Sequence, residues 1–381
     1  MTDVAGTDVP TAGADSLEAL MGRTNSDADA VIHTVRDNAD VIFTWSYDKG
    51  ERASLSKLYE KAKGSQWNGT TDLPWETEVD QESFARSLAQ MDAQTREARG
   101  TDLSGTVFAK WGTREWEAQA FELQNWTLSQ FLHGEQGALA CSAKIVETVP
   151  WIDAKYYAST QVMDEARHVE VFARYLDEKM SGHYPVNVHL RELLDDILSD
   201  SRWDMTYLGM QIMVEGLALA SFGMAHAVTP CPLLRQLLRY VMSDEARHVA
   251  FGVLSLAEYY QQLTEAELLE RQEFAFEAAV RMRDRFMAQE MWERLGVPPG
   301  DAARIFAATP EQKNKDPFQQ LLFSKIVPNC KKLGLLDAND GWLRKRFDTL
   351  GVSQFEDWAD TSTDYEVLDE VSKDRSAASA D

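Results

Sequence analysis

The five residues from Asp164 to His168 recur in the same order from Asp244 to His248, and no other feature constrains the fold of this 381-residue chain as strongly. Within each copy, the Glu and the His are three positions apart. On an α-helix such residues lie on one face, where both side chains can bind one metal ion. The repeat therefore predicts two long helices that contribute equivalent ligands to one site.

A further glutamate precedes each copy at a fixed distance. Glu135 and Glu215 each lie thirty residues before the glutamate of the following copy, and a proline, Pro150 or Pro230, stands midway. Each interval therefore predicts a helix, a turn and a returning helix. At about 1.5 Å per residue, each glutamate lies about 22 Å from its turn, and the motif returns by the same distance. All four ligand groups should thus meet at one level of an antiparallel bundle.

The expected site contains four carboxylates and two imidazoles. Such donors suit a pair of iron or manganese ions, because carboxylates bridge two metals and tolerate a change of oxidation state, while a neutral imidazole caps each ion. A helical repeat with salt-bridged faces is the alternative, but it does not explain why both intervals have one length. The predicted ligands are Glu135, Glu165, His168, Glu215, Glu245 and His248.

Each copy also carries an aspartate before its glutamate and an arginine before its histidine, namely Asp164 with Arg167 and Asp244 with Arg247. A histidine that binds a metal usually donates its other ring proton to a carboxylate or a carbonyl, which fixes its tautomer. We predict that each aspartate accepts this proton from the histidine of the opposite copy, and that the arginine holds the aspartate. Ordinary helix-surface charges are the alternative.

The apolar pattern predicts one large all-α domain with a tail at each end. Residues 1–40, rich in Ala, Asp, Thr and Gly, are predicted to be a disordered acidic tail, and residues 356–381 a second one. The domain between them covers 41–355, with a bundle core at about 108–262 and flanking helices over 264–355. Bundle helices are predicted at about 108–146, 151–180, 203–228 and 233–262, and a connecting helix at 189–198 should cross over to the second half. The capping pair Thr264 and Glu267 opens a helix that should reach Leu295.

The composition indicates which binding partners and which cellular compartment suit this chain. A formal net charge of −24 argues against binding to nucleic acid or to anionic membranes, and either keeps the protein soluble or favours a basic redox partner. The three cysteines, Cys141, Cys231 and Cys330, show no Cys-x-x-Cys spacing, which fits a reducing cytoplasm and excludes a rubredoxin-type module. No apolar run approaches the roughly twenty residues of a membrane span, and no signal-peptide pattern is present. We expect a cytoplasmic protein without a membrane partner.

The repeat and its upstream glutamates resemble the ligand pattern of the ferritin-like di-iron carboxylate superfamily, over roughly 108–262. The resemblance implies a ferritin-like four-helix bundle that holds two Fe ions, or a Mn/Fe pair, through four glutamates and two histidines. In the oxygenase branches of that superfamily, dioxygen oxidises two ferrous ions, and the resulting oxidant inserts oxygen into a C–H bond or an amine, or removes hydrogens. The pattern is specific for the metal centre and not for the substrate, and it implies no catalytic residue beyond that centre.

Within the superfamily, the paired Asp-Glu-x-x-His motifs and the single-chain size look most like the bacterial p-aminobenzoate N-oxygenase group. One position departs from it. Val241 stands where those enzymes carry a third histidine ligand, so the ligand set looks like that of the bacterial multicomponent monooxygenases. N-oxygenation, C–H hydroxylation and desaturation of a small organic substrate all stay open. A radical-generating subunit like that of ribonucleotide reductase is less favoured, because Phe172 and Gly252 occupy the positions of its tyrosine.

Two other functional classes fit the same ligands. One is a ferroxidase or peroxide-scavenging ferritin-like protein, although such chains are usually shorter, and the other is a binding protein that keeps its metal only for stability. We favour the oxygenase, with O2 and a small molecule as substrates. The sequence shows no flavin or nicotinamide fingerprint, so electrons should come from a ferredoxin, from a separate reductase or from peroxide. The helices after Gln262 either cover the substrate entrance or form a homodimer interface.

Overall fold

The computed structural model describes residues 14–25, 30–48, 50–307 and 317–358, and every regular element within those ranges is helical. The all-α class that the sequence predicts is confirmed. In chain order the α-helices are α1 (Ala14–Met21), α2 (Ala53–Gly64), α3 (Gln81–Arg99), α4 (Thr113–Thr148), α5 (Ile152–Lys179), α6 (Val188–Ser199), α7 (Trp203–Val228), α8 (Pro232–Tyr260), α9 (Glu265–Arg285), α10 (Gln289–Arg294), α11 (Pro299–Phe306), α12 (Pro317–Lys332) and α13 (Ala338–Leu350).

Helices α4, α5, α7 and α8 form the antiparallel four-helix bundle of a ferritin-like fold. α4 packs along α5, and α7 packs along α8. Each pair is joined by a short turn in which an extended residue precedes a proline: Val149 precedes Pro150, and Thr229 precedes Pro230. Proline disfavours the α conformation in the residue before it, so α4 and α7 end at these positions. The four helices begin and end within a few residues of the predicted bounds.

Helix α6 crosses the bundle and connects its two halves. Asn187 caps its first turn, because the side-chain oxygen accepts a hydrogen bond from the backbone N–H of His189. Glycines allow the crossing to be close: a Cβ atom added at Gly137 of α4 would lie 2.5 Å from Leu194, and one added at Gly209 of α7 would lie 2.4 Å from Ile197. The crossover that the sequence predicts is therefore tightly packed on both helix pairs.

Helix α7 is α-helical at both ends but widens to a π-helix over Leu208–Val214, immediately before Glu215. A π-helical segment accommodates an extra residue and is frequent at functional sites, but nothing in the apolar pattern predicts it. By length and composition α7 is also apolar enough to cross a membrane, so the expectation that no apolar run approaches a membrane span is wrong for this helix. In the structure 78% of its most apolar stretch is buried. The apolar residues of α7 thus belong to the core of the bundle.

Helix α9 begins as predicted and ends earlier. Thr264 and Glu267 form the predicted capping box, in which the Glu267 carboxylate accepts from the Thr264 backbone N–H at 2.8 Å. The expectation that this helix reaches Leu295 is wrong, because α9 ends at Arg285 and Ala288 adopts a left-handed conformation, with φ of 52°. A hydrogen bond of 3.0 Å from the Trp126 indole of α4 to the Glu290 carboxylate of α10 joins the next helix, α10, to α4. These contacts are distant in sequence and override the local helical preference.

The described parts of the expected N-terminal tail pack against the domain. α1 lies against α11 and buries Met21, while Asn38 donates to the Ser199 carbonyl and Asp37 lies 3.0 Å from the Lys144 ammonium. These segments differ from a free acidic tail because they bury an apolar residue and pair several polar ones. Residues 1–13 and 26–29, and the predicted C-terminal tail from residue 359 onward, lie outside the described residues.

Candidate metal centre

The six predicted ligands come together inside the bundle. One glutamate each is supplied by α4 and α7, and a Glu-x-x-His pair each by α5 and α8; all six side chains are buried. Their ligand atoms form two overlapping groups, and within each group the atoms lie within 4.8 Å of one another. The first group is Glu135, Glu165, His168 and Glu245, and the second is Glu165, Glu215, Glu245 and His248. The two groups share Glu165 and Glu245.

The two shared glutamates lie between the two histidines. His168 Nδ1 is 3.3 Å from Glu165 Oε2 and 3.1 Å from Glu245 Oε1. His248 Nδ1 is 3.0 Å from Glu165 Oε1 and 3.5 Å from Glu245 Oε2. Each of these carboxylates therefore turns one oxygen towards each histidine. This is the disposition required of carboxylates that bridge two ions.

The other two glutamates lie at opposite ends of the cluster. Glu135 Oε2 is 3.2 Å from His168 Nδ1, whereas Glu215 Oε1 accepts a hydrogen bond of 2.9 Å from the side chain of Gln161. The Gln161 amide also lies 3.1 Å from Glu165 Oε1. Gln161 was not predicted, although its place one helical turn before Glu165 is a signal that could have identified it.

The donors fit a pair of divalent cations. Among the described residues, Glu215 Oε2 and both oxygens of Glu245 are buried and form no hydrogen bond. A buried carboxylate without hydrogen bonds is costly unless a cation compensates it. Carboxylate oxygens and imidazole nitrogens are donors that iron and manganese accept. Two cations held between the groups would therefore satisfy the atoms that the protein leaves unpaired.

The pKa values reflect this crowding of charge. Burial, together with the neighbouring Glu245, raises the pKa of Glu135 and of Glu215 well above the usual range. Burial opposes charge on His168 and His248, but the surrounding carboxylates dominate and raise the pKa of both imidazoles. Binding of a cation requires ionised carboxylates and neutral imidazoles, so it must displace the protons that these groups hold.

The aspartates are exchanged between the two copies, as expected from the sequence. His168 Nε2 lies 3.1 Å from Asp244 Oδ2, and His248 Nε2 lies 3.4 Å from Asp164 Oδ2. Each histidine thus directs Nδ1 towards the carboxylate cluster and Nε2 towards an aspartate. This arrangement fixes the orientation of both rings and would favour the tautomer in which Nδ1 is free to bind a metal.

The two arginines close a ring of charges behind the histidines. Arg167 Nη2 is 2.5 Å from Asp164 Oδ1 and 3.0 Å from Asp244 Oδ2. Arg247 Nη2 pairs with Asp244 and is 3.6 Å from Asp164. Burial opposes ionisation of Asp244, but Arg247, His168 and Arg167 together hold its pKa well below the usual range. The four charges balance, so the ring can be buried without a net charge.

Two residues near the ring were missed by the sequence reading. Gln66 donates to Asp164 at 3.0 Å and accepts from Arg167 at 2.7 Å. The Trp67 indole donates to Asp244 at 2.8 Å, and the Arg167 guanidinium lies 4.6 Å from the centre of a Trp67 ring. Both residues follow α2, about a hundred positions before the first motif. No local pattern marks such a distant contact.

A pocket opens beside the carboxylate cluster. Its lining includes Glu135, Glu215 and Glu245, and the space that it encloses is small, about 30 Å³. Its walls are mainly apolar, with Phe131, Ala138, Val214, Leu217, Phe222 and Met282 among them. Gly134 also lines the pocket, and a Cβ atom there would meet nothing within 4 Å. The small residues around Glu135 thus serve two purposes, because Gly134 leaves space and Gly137 allows close packing.

No family profile matches the chain, and no curated protein matches it. Among solved structures, the chain is similar to an R2-like ligand-binding oxidase point mutant with an anaerobically reconstituted Mn/Fe cofactor, at 20% identity and a TM-score of 0.47, over 68% of this chain and 91% of that one. A second such mutant is similar at 19% identity and a TM-score of 0.49, over 77% of this chain and 97% of that one. The helical bundle and its buried carboxylate–imidazole cluster, described above from this chain alone, fit the ferritin-like di-iron carboxylate superfamily.

Proposed function

We propose that this chain is an oxidoreductase that uses two iron ions, or one manganese and one iron ion, to oxidise a small organic substrate with dioxygen. The observation that supports it most is the sharing of Glu165 and Glu245 by two buried ligand groups. One isolated Glu-x-x-His pair would hold a single ion. Two groups with common carboxylates are the arrangement of a coupled two-metal site.

Each residue of the cluster has a distinct part in this proposal. Glu165 and Glu245 would hold both ions, and His168 and Glu135 would hold one of them. His248 and Glu215 would hold the other ion, and the Gln161 amide donates a hydrogen bond to Glu215. The paired ions, when bound, supply the electrons that reduce dioxygen and the oxidising power that acts on the substrate.

The pocket favours oxidation of an organic compound over iron storage. A ferroxidase must admit hydrated iron repeatedly, which requires polar groups along the entry path. Here aromatic and aliphatic side chains such as Phe131, Leu217 and Phe222 line much of the pocket beside the buried carboxylates, and its one charged group besides those carboxylates is the Arg285 cation, which would repel iron ions. These walls bind an apolar molecule and exclude water from the reacting atoms. A metal kept only for stability would not need such a pocket.

The structure around Val241 bears on the type of oxidation. Val241 is fully buried in an apolar cluster with Leu237 and Leu238, so no third histidine completes the site from α8. We therefore propose C–H hydroxylation or desaturation ahead of N-oxygenation. The electrons come, in this proposal, from an external ferredoxin or reductase with a basic surface, since this chain carries a formal net charge of −24.

The experiment that tests the proposal is anaerobic loading with ferrous iron, followed by rapid mixing with dioxygen while visible absorption is recorded. An oxygenase should take up two iron ions per chain and show a transient absorption band that decays faster when a suitable substrate is added. A ferroxidase would instead continue to oxidise iron over repeated additions and would show no response to organic compounds. That second result would contradict the proposal.

A further inference from the structure

Arg285 is the last residue of α9, a helix outside the four-helix bundle, and it lines the pocket next to the carboxylate cluster. Its side chain is 6% exposed. A buried guanidinium is costly unless a carboxylate or another anion pairs with it. The partners of Arg285 therefore decide whether it is part of the scaffold or part of a binding site.

The other buried arginines of the described chain are paired. Arg167 and Arg247 belong to the ring of charges behind the histidines, and Arg271 contacts the carboxylate of Asp204 at 2.9 Å. Arg285 has no carboxylate partner among the described residues. Its Nη1 atom lies 3.7 Å from the sulfur of Met282, its Nε has no partner, and the guanidinium lies 4.9 Å from the Phe286 ring centre.

Arg285 nevertheless keeps its charge at neutral pH. Burial lowers the pKa of its guanidinium to about 10, which still leaves it protonated near pH 7. The pocket also contains the Ser221 hydroxyl, which is buried and has no hydrogen-bond partner among the described residues. The pocket thus offers a cation and a hydroxyl donor against apolar walls.

The charge balance of the site also indicates that an anion should pair with Arg285. Four ionised glutamates balance two divalent cations, and the ring of two aspartates and two arginines balances itself. Arg285 is then a single positive charge without compensation. A ligand with one negative charge would neutralise the pocket, whereas a doubly charged phosphate would leave a buried negative charge. The planar guanidinium also matches the two oxygens of a carboxylate.

We propose that Arg285 and Ser221 form a carboxylate-binding subsite, and that the substrate is an apolar organic acid with a single carboxylate. The carboxylate pairs with Arg285, and the side chains of Phe131, Leu217 and Phe222 move apart to admit the apolar body beside the glutamates of the metal centre. The oxidation of this acid rests on the proposed function. Its binding does not, because Arg285 and Ser221 are outside the set of metal ligands.

The test compares carboxylates with their primary amides, which have almost the same shape and no charge. Binding of hexanoate against hexanamide, and of benzoate against benzamide, is measured by calorimetry near pH 7. The protein is used both metal-free and loaded with zinc, which is redox-inert, so the readout does not depend on turnover. Wild-type protein should prefer at least one carboxylate over its amide by about tenfold or more, because a charge-assisted pair replaces a neutral contact.

Two variants test whether Arg285 causes the preference for carboxylates over amides. Arg285→Met keeps much of the side-chain volume and should lose most of the preference for the carboxylate. Arg281→Met is the matched control, since Arg281 lies one turn earlier on α9 and pairs with Asp196 and Glu277 outside the pocket. The control should bind as wild type does. An unchanged preference in Arg285→Met that is shown to be folded would overturn the assignment.

If the Arg285 variant fails to fold, the wild-type measurement on the metal-free protein is decisive, because no zinc is present there to bind the carboxylate. Equal binding of acids and amides, or no binding of any acid, overturns the carboxylate subsite. Metal binding is measured separately, and its result does not depend on the preference for carboxylates. A chain that prefers carboxylates but binds no metal would keep the subsite and lose the proposed function, whereas a chain that binds two metals without any such preference would do the reverse.

Discussion

Asp244 in the second motif accepts a hydrogen bond from His168 in the first, across 3.1 Å in the centre of the bundle. The reciprocal contact, from His248 to Asp164, is 3.4 Å long. The Nε2 atom of each histidine is therefore held by an aspartate from the other helix pair. The site is complete only when the two halves of the bundle are packed together.

We expect Asp244→Asn to weaken metal binding about tenfold to a hundredfold, because the variant removes the charged acceptor that orients His168. It should also destabilise the protein by roughly 3 kcal/mol, since Arg167 and Arg247 lose a buried partner. Asp204→Asn is the control. Asp204 is equally buried and pairs with Arg271 away from the site, so it should lose stability and keep its metal affinity. Equal metal affinity in both variants would contradict the role of Asp244.

Metal affinity should rise with pH across the neutral range. In the metal-free protein the pKa values of Glu135, Glu215, His168 and His248 are all raised, so these groups hold protons that the metal must displace. Metal affinity increases with pH because a lower proton concentration favours the metal-bound state. Competition with a chelator at several pH values, and calorimetry in buffers of different ionisation enthalpy, measure the effect. Binding that is independent of pH and releases no protons would contradict it.

The two glycines near Glu135 should respond in opposite ways to substitution by alanine. Gly137→Ala places a methyl group 2.5 Å from Leu194 and should cost about 1–3 kcal/mol through overpacking. Gly134→Ala meets nothing within 4 Å and should stabilise the helix by about 0.5–1 kcal/mol, since alanine has the higher helix propensity. Chemical denaturation measures both. Similar free energies of unfolding for the two variants would show that the crossing of α6 over α4 is looser than described.

The Trp67 indole should matter more for stability than an indole that donates to a neutral group. Trp67→Phe removes a hydrogen bond to the charged Asp244 and should cost about 1.5–3 kcal/mol, in addition to the effect of reduced volume. Trp75→Phe removes a hydrogen bond to the backbone carbonyl of Gly69 and should cost less. Denaturation of both variants provides the comparison. A larger loss for Trp75→Phe would exclude a special contribution from Asp244.

The fold could be predicted because its signal is local and repeated. Helical periodicity, two prolines and a duplicated motif determine the four bundle helices and the level at which the glutamates meet. The exchange of aspartates could also be anticipated, since ligating histidines need an acceptor. The early end of α9 could not, because it goes with a contact between α10 and the distant helix α4, and nothing in the apolar pattern marks the π-helical segment before Glu215.

The residues that form the pocket could not be predicted from the sequence. Arg285 belongs to a helix that looked like a flanking element, and only the tertiary structure brings its side chain to the carboxylate cluster. Gln66 and Trp67 reach the aspartates from a connection that carries no chemical motif. Ligands that lie on repeated helices can thus be found from spacing, whereas residues that shape the pocket and orient the ligands cannot.

The most direct test of the central claim is the metal content of the purified protein after anaerobic loading, measured by elemental analysis for wild type and three glutamate variants. Wild type should bind two ions per chain, Glu165→Ala close to none, and Glu215→Ala no more than one, because Glu165 is shared and Glu215 is not. Glu258→Ala, on the exposed face of α8, should bind two. Retention of two ions by Glu165→Ala, or their absence from wild type, would contradict the two-metal centre.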